Sequence, residues 1–276
     1  MDLMRARVSL RERTVIDVVD LSVRFCGAHA RAYGILALAV LAPAWVISWA
    51  TAGFGGWLLG WTAAVAIAAF AEIPFLVLAS RLLFEEKAPA GAVLRQSSAA
   101  VPRVGAARLA QLGPLGLSAL VFGLPWLYFG PVLLFLAEVL VLEKAGVIEG
   151  YRRAQRVATA HFGAALSAVI LLGLLRVGGP LVADVGGREL FERVLEIRAP
   201  PAAWEAGGSV LALLGWWAAV PFVATIRFFE YIDCRTRSEG WDIQTRFAGI
   251  AARGTAPMEA RRPRADEPRA GAGEPS

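Results

Sequence analysis

Apolar residues in this chain come in unbroken runs of membrane-crossing length, separated by stretches where arginine and glutamate return. Six runs predict six helices: Tyr33–Ala50, Trp57–Ser80, Leu109–Leu127, Tyr128–Ile148, Phe162–Ala183 and Ser209–Ile226. A chargeless turn, Ala52-Gly-Phe-Gly-Gly56, separates the first two, and Pro74 interrupts the second. Pro125 and the Gly130-Pro131 pair break the long run after Leu109. The strictly apolar part of the fourth, Val132–Leu142, is short, so a crossing from Tyr128 to Ile148 requires Glu143 and Lys144 to snorkel to the interface.

Between the runs, two stretches are amphipathic. Thr14 to Ala32 has Thr14 as an N-cap, with Asp17 near the reciprocal position, and an apolar stripe through Val15, Val18, Val19, Ser22, Val23 and Cys26. Glu149 to Ala160 sets Tyr151, Ala154 and Ala158 against Arg152, Arg153 and Arg156. The polar Asp184–Gly208 segment predicts a short surface helix around Leu190–Leu195. The last apolar run passes directly into a charged motif, Tyr231-Ile-Asp-Cys-Arg-Thr-Arg-Ser-Glu-Gly-Trp-Asp-Ile243, with Gly240 as its expected C-terminal cap. After Arg253 the chain loses periodicity and reads as disordered. The expected organisation is a cytoplasmic amphipathic segment over 1–32, a six-helix membrane domain over 33–245 and a disordered cytoplasmic tail over 246–276. A weak repeat runs through it. Glu86-Lys87-Ala88 recurs as Glu143-Lys144-Ala145, and Arg24…His29 resembles Arg156…His161, implying an amphipathic helix that turns up into a membrane helix.

Composition agrees with a membrane class: 18% of residues are charged, against about a quarter in soluble domains, and mean hydropathy is +0.55. Charge then orients the runs. Lys and Arg number 6 before the first run, 5 in Arg81–Arg108, 4 in Glu143–Ala160 and 9 from Arg227 onward. The alternate connections carry 0, 0 and 3, so the positive-inside rule places both termini in the cytoplasm. Tryptophans 45, 49, 57, 61, 126 and 204 fall at the opposite boundary, as an interfacial belt does. Met1 to Ala32 lacks an apolar core, so the first run is expected to act as an uncleaved anchor. The net charge of +5 fits anionic lipid at the cytoplasmic surface better than nucleic acid. Cys26 and Cys234 both fall in cytoplasmic segments, where no structural disulfide is expected.

The Tyr231–Ile243 motif, together with Leu140-Val-Leu-Glu-Lys-Ala-Gly-Val-Ile-Glu-Gly-Tyr-Arg-Arg-Ala154, resembles the two specific motifs of the glycerophosphoryl diester phosphodiesterase membrane domain family of bacterial proteins. The resemblance covers about residues 10 to 245. It implies a six-helix module of the bacterial cytoplasmic membrane, in some relatives joined to a catalytic phosphodiesterase domain. That domain resembles a TIM barrel of roughly 250 residues, which the soluble tail here cannot hold, so the activity does not carry over.

Three ionisable residues lie inside apolar runs: Glu72, Glu138 and Arg176. Such residues mark functional sites or buried pairs. Glu138 and Arg176 have routes to an interface, whereas Glu72 has the least escape. Ala64, Ala68 and Glu72 share one helical stripe, so Glu72 is expected to face the bundle, paired with Arg176 or protonated. In the charged motif, Asp233 with Arg237 and Arg235 with Glu239 are i,i+4 neighbours, and with Tyr231 they form either a docking surface or a self-neutralised helix end. His29 and His161 lack the companions a metal site needs. No phosphate loop or zinc-protease pattern is present, so no catalytic, cofactor or metal site is expected. Two functional readings follow: a non-catalytic module docking protein partners or lipids at the membrane, or a small-solute or lipid transporter built around Glu72.

Overall fold

The computed structural model describes residues 14–120 and 125–255, with side chains for all of these except 114, 115, 117–120 and 239–255. The described residues are helical, with no strand among them. Three helices are long and apolar enough to cross a membrane.

Helix α1, Val15–Ala28, starts at the expected capping box. Asp17 N donates to Thr14 Oγ1 at 3.3 Å and Thr14 N donates to the Asp17 carboxylate at 3.1 Å. It meets α2, Ala30–Phe84, at His29, whose φ of −113° and ψ of 26° leave the helical region. Straight, α2 would extend roughly 82 Å. It is instead two antiparallel arms, reversed at Gly55 and Gly56, where Gly56 has φ +80°. The reversal brings the Tyr33 ring, near the start of one arm, to 6.2 Å from the Phe75 ring in the other, and seats Gly60 against Ala52.

Helix α3, Ala90–Leu120, runs from the polar stretch into the apolar one with no joint. The unbroken helix expected over Tyr128–Ile148 is not formed. Helix α4, Trp126–Leu133, and α5, Leu136–Leu142, are separated at Leu134–Phe135, and the chain then turns through Lys144 at φ +55°. The end of α5 has its reason in Glu143, which turns inward to partners in the bundle instead of snorkelling.

Helix α6, Val147–Ala160, is the second amphipathic element. It meets α7, Phe162–Glu189, at His161 with φ −131° and ψ 46°. Both histidines therefore mark equivalent joints, as the repeat implied, while α3 lacks one. The surface helix expected after Asp184 is a continuation of α7 that ends in one π-helical turn, Leu190–Val194. After the short α8, Ala203–Ala206, α9 runs Val210–Thr255. Gly240 does not cap it; the helix passes through Gly240 into the stretch expected to be a tail. Residues 1–13, 121–124 and 256–276, including the rest of that tail, lie outside the described residues. The chain forms two compact units, Met1–Arg235 and Thr236–Ser276, and the fold and contacts described here belong to the first.

Helices α7 and α9 pass at glycine. A Cβ on Gly215 would lie 2.2 Å from the Gly179 carbonyl oxygen, so two backbones touch there. Trp217, Tyr231, Phe75, Phe135 and Phe228 are fully buried at the centre, whereas Leu38, Phe54, Leu58, Leu109 and Val182 point outward. A periphery so apolar suits lipid and would aggregate in water.

Candidate functional site

Ala64 and Ala68 of α2 are buried, and Glu72 one turn further shares their inward stripe. The Glu72 side chain is 12% exposed. Its Oε1 accepts from Arg176 of α7, and its Oε2 accepts from Arg227 of α9 at 2.6 Å. Arg108 of α3 stands 3.9 Å from the same Oε2 and donates to Gln111 Oε1 at 3.1 Å. Arg227 Nη2 lies 3.0 Å from both Glu138 carboxylate oxygens and donates to the Leu134 carbonyl at 3.0 Å, at the α4–α5 break. The guanidinium of Arg176 also lies 4.8 Å from the centre of the Trp216 ring. Five ionisable side chains from α2, α3, α5, α7 and α9 thus form one buried network. Charges this buried persist only when paired and hydrogen-bonded, which the planar guanidinium fork permits.

The structure brings the three intramembrane candidates together: Glu72 pairs with Arg176 directly and with Glu138 through Arg227. Arg227 and Arg108 were not foreseen. Each borders a polar stretch in sequence, and so reads as a solvated end. The available signal was that Ile226-Arg-Phe-Phe229 leaves Arg227 with apolar neighbours on both sides.

Beside the cluster lies a cavity of about 570 Å³, within the range of small-molecule sites. Glu72, Arg108, Arg176 and Arg227 give it one polar region, and most of the remaining wall is apolar. Val65, Phe70, Leu109, Leu112 and Trp126 belong to that wall and are also exposed on the outer surface, so the cavity borders the apolar surroundings. Gly173 lines it with open space where a Cβ would stand.

The charged motif takes a different form from the one expected. Tyr231 is fully buried and donates to Glu143, so it is not part of an accessible docking surface. Arg153 Nε meets the other Glu143 oxygen, and Arg235 Nη1 is 3.2 Å from Glu143 Oε1. The two motifs therefore meet at one carboxylate. Asp233 and Arg237 are half-buried, and Arg237 belongs to the Thr236–Ser276 unit; the Glu239 side chain lies outside the described residues.

Two further polar ties fix the bundle. Asp184, fully buried, accepts from Ser209 Oγ and from Ala203 N at 3.1 Å, while Ser209 Oγ caps α9 by accepting from Ala212 N at 2.9 Å. Thr225 Oγ1 donates to the Pro221 carbonyl at 2.7 Å, so Tyr33 is the donor in its 2.8 Å bond to Thr225. Cys26 Sγ is 3.6 Å from the same hydroxyl. Burial pushes the Cys26 thiol above its ordinary range, an effect that hydrogen bonds to Thr225 and Tyr33 oppose. Both cysteines are buried and stand outside any disulfide. Among the described residues no cluster of three or more His, Cys, Asp or Glu is placed to hold a metal.

Fold and cluster define a class: an all-helical membrane protein, among the described residues, with an ionic network beside a cavity open to the apolar surroundings. No family model, curated protein or solved structure matches the chain.

Proposed function

We propose that the chain is a non-catalytic, polytopic protein of a bacterial cytoplasmic membrane that binds a small amphipathic molecule, a lipid or lipid-like solute, beside Glu72. The carrying observation is the 570 Å³ cavity, apolar along most of its wall and ionic at Glu72. A docking scaffold needs its distinctive residues on an accessible face, whereas Tyr231 is buried in the bundle. Six crossings with both termini cytoplasmic complete the reading. They are the two arms of α2, the apolar half of α3, α4 with α5, α7 and α9. The α4–α5 crossing is short, roughly 25 Å at helical rise against a hydrocarbon core of about 30 Å. Cytoplasmic arginines of α1 and α6 then face anionic lipid. The resemblance to the phosphodiesterase membrane domain family fits a reading in which its two motifs are one internal strut at Glu143.

A phospholipid carrying a photoreactive group in its acyl chain tests this. Crosslinks should map to Leu133, Leu172 and Val223, which line the cavity and are buried from the outer surface, and fade in a Gly173→Phe variant that fills the cavity. Labelling restricted to outward residues such as Leu38 and Phe54, and unchanged in the variant, contradicts the reading.

A further inference from the structure

We infer that the cavity selects an amphiphile with a singly charged oxyanion headgroup, a phosphodiester or carboxylate, held at Arg108 and Arg176 with its aliphatic chain along the Val65–Leu112 wall. This rests on the proposed reading of the cavity as a lipid or solute site and adds the charge of its occupant.

The first ground is charge. Three guanidinium groups, Arg108, Arg176 and Arg227, face two carboxylates, Glu72 and Glu138. Arginine does not shed its proton at any relevant pH, so among these five groups one positive charge is in excess. The described lining contains no further acid. An unbalanced buried cation in apolar surroundings is costly and is relieved by an anion.

The second ground is unused donors. Arg176 Nη1 and Arg227 Nε are buried without an acceptor, although Arg227 as a whole is only 8% exposed. Arg108 is the loosest of the three: it is a third exposed, 3.9 Å from Glu72, and its hydrogen-bond partner is the neutral Gln111. A headgroup oxyanion takes bidentate bonds from such forks. The third ground is the wall. Its apolar side chains offer nothing to a free inorganic anion but bury an aliphatic chain. A zwitterionic headgroup would bring its own cation against the uncompensated positive charge.

The test is thermal unfolding of the purified protein in neutral detergent, titrated with phosphatidylglycerol, phosphatidylcholine or inorganic phosphate. Phosphatidylglycerol should stabilise the wild type at about tenfold lower concentration than phosphatidylcholine, and phosphate alone should do nothing. Arg176 is too buried for its removal to be informative, so the variants are Arg108→Gln and Gln111→Glu. Arg108→Gln should equalise the two lipids. Gln111→Glu supplies the missing carboxylate, so it should raise the unfolding temperature without lipid and erase the preference. Equal wild-type responses to both lipids, both lost in Gly173→Phe, overturn the anion selectivity and leave the cavity reading standing. Lipid responses that persist in Gly173→Phe overturn the cavity reading, and the inference with it. Phosphate matching phosphatidylglycerol overturns the amphiphile, and a preference retained in both charge variants overturns the assignment to Arg108.

Discussion

Arg227 bonds two carboxylates and a main-chain carbonyl, so three helices depend on one guanidinium. Replacing it by Gln leaves Glu72 and Glu138 short of a partner and should cost about 3–5 kcal/mol. Lys should not restore it, because a point charge on a flexible stem cannot bridge both acids and the Leu134 carbonyl. Thermal unfolding in detergent, compared with wild type, checks both variants. Cys26 gives a pH prediction. Its folded pKa is raised above the ordinary 9.0, so the folded state holds the proton more tightly than the unfolded one. The associated stability is full below that value and falls as pH rises past it. Stability measured from pH 7 to 10 should decline above about pH 9, and less steeply in a Cys26→Ser variant. Of the cluster, Glu72 and Arg176 were legible in the sequence because each stands alone inside an apolar run. Arg227 and Arg108 were hidden because sequence position gives neither depth nor helix rotation where a run meets a polar stretch.

Among elements, the α2 reversal and the α7–α9 crossing both depend on glycine. Gly56 adopts φ +80° with ψ 172°, so Gly56→Ala should lower stability by about 1–3 kcal/mol, the penalty of a Cβ in a backbone region essentially reserved for glycine. Gly215→Val should do worse, because its Cβ would meet the Gly179 carbonyl and a backbone cannot step aside. Yield of monodisperse protein by size-exclusion separates the two: reduced melting temperature for the first, loss of folded protein for the second. The amphipathic helices, the capping box and the glycine turn were readable because local chemistry decides them. The end of α5 and the continuation of α9 through Gly240 were not. Glu143 is drawn inward by Arg153 on the next helix and by Tyr231 and Arg235 from a distant part of the chain, and a cap residue yields where the helix has reason to continue.

At the scale of the molecule, the proposal makes six crossings of a chain in which three helices are long and apolar enough by themselves. Reporter fusions after Phe54, Pro131 and Ala203 should signal outside, and fusions after Gln96, Gln155 and Gly254 the cytoplasm. An outside signal at Gln155 removes the α4–α5 crossing, the shortest of the six, and the topology with it. The polar ties at Asp184, Thr225 and Glu143 are hydrogen-bonded, whereas the Glu72 network keeps unused donors beside open volume. That contrast makes the cavity the centre of the account. Native mass spectrometry of the protein, released gently from detergent, tests it most directly. The wild type should retain a bound lipid that the cavity-filled Gly173→Phe variant, equally folded, has lost; the same lipid retained at the same occupancy by both proteins would contradict the account.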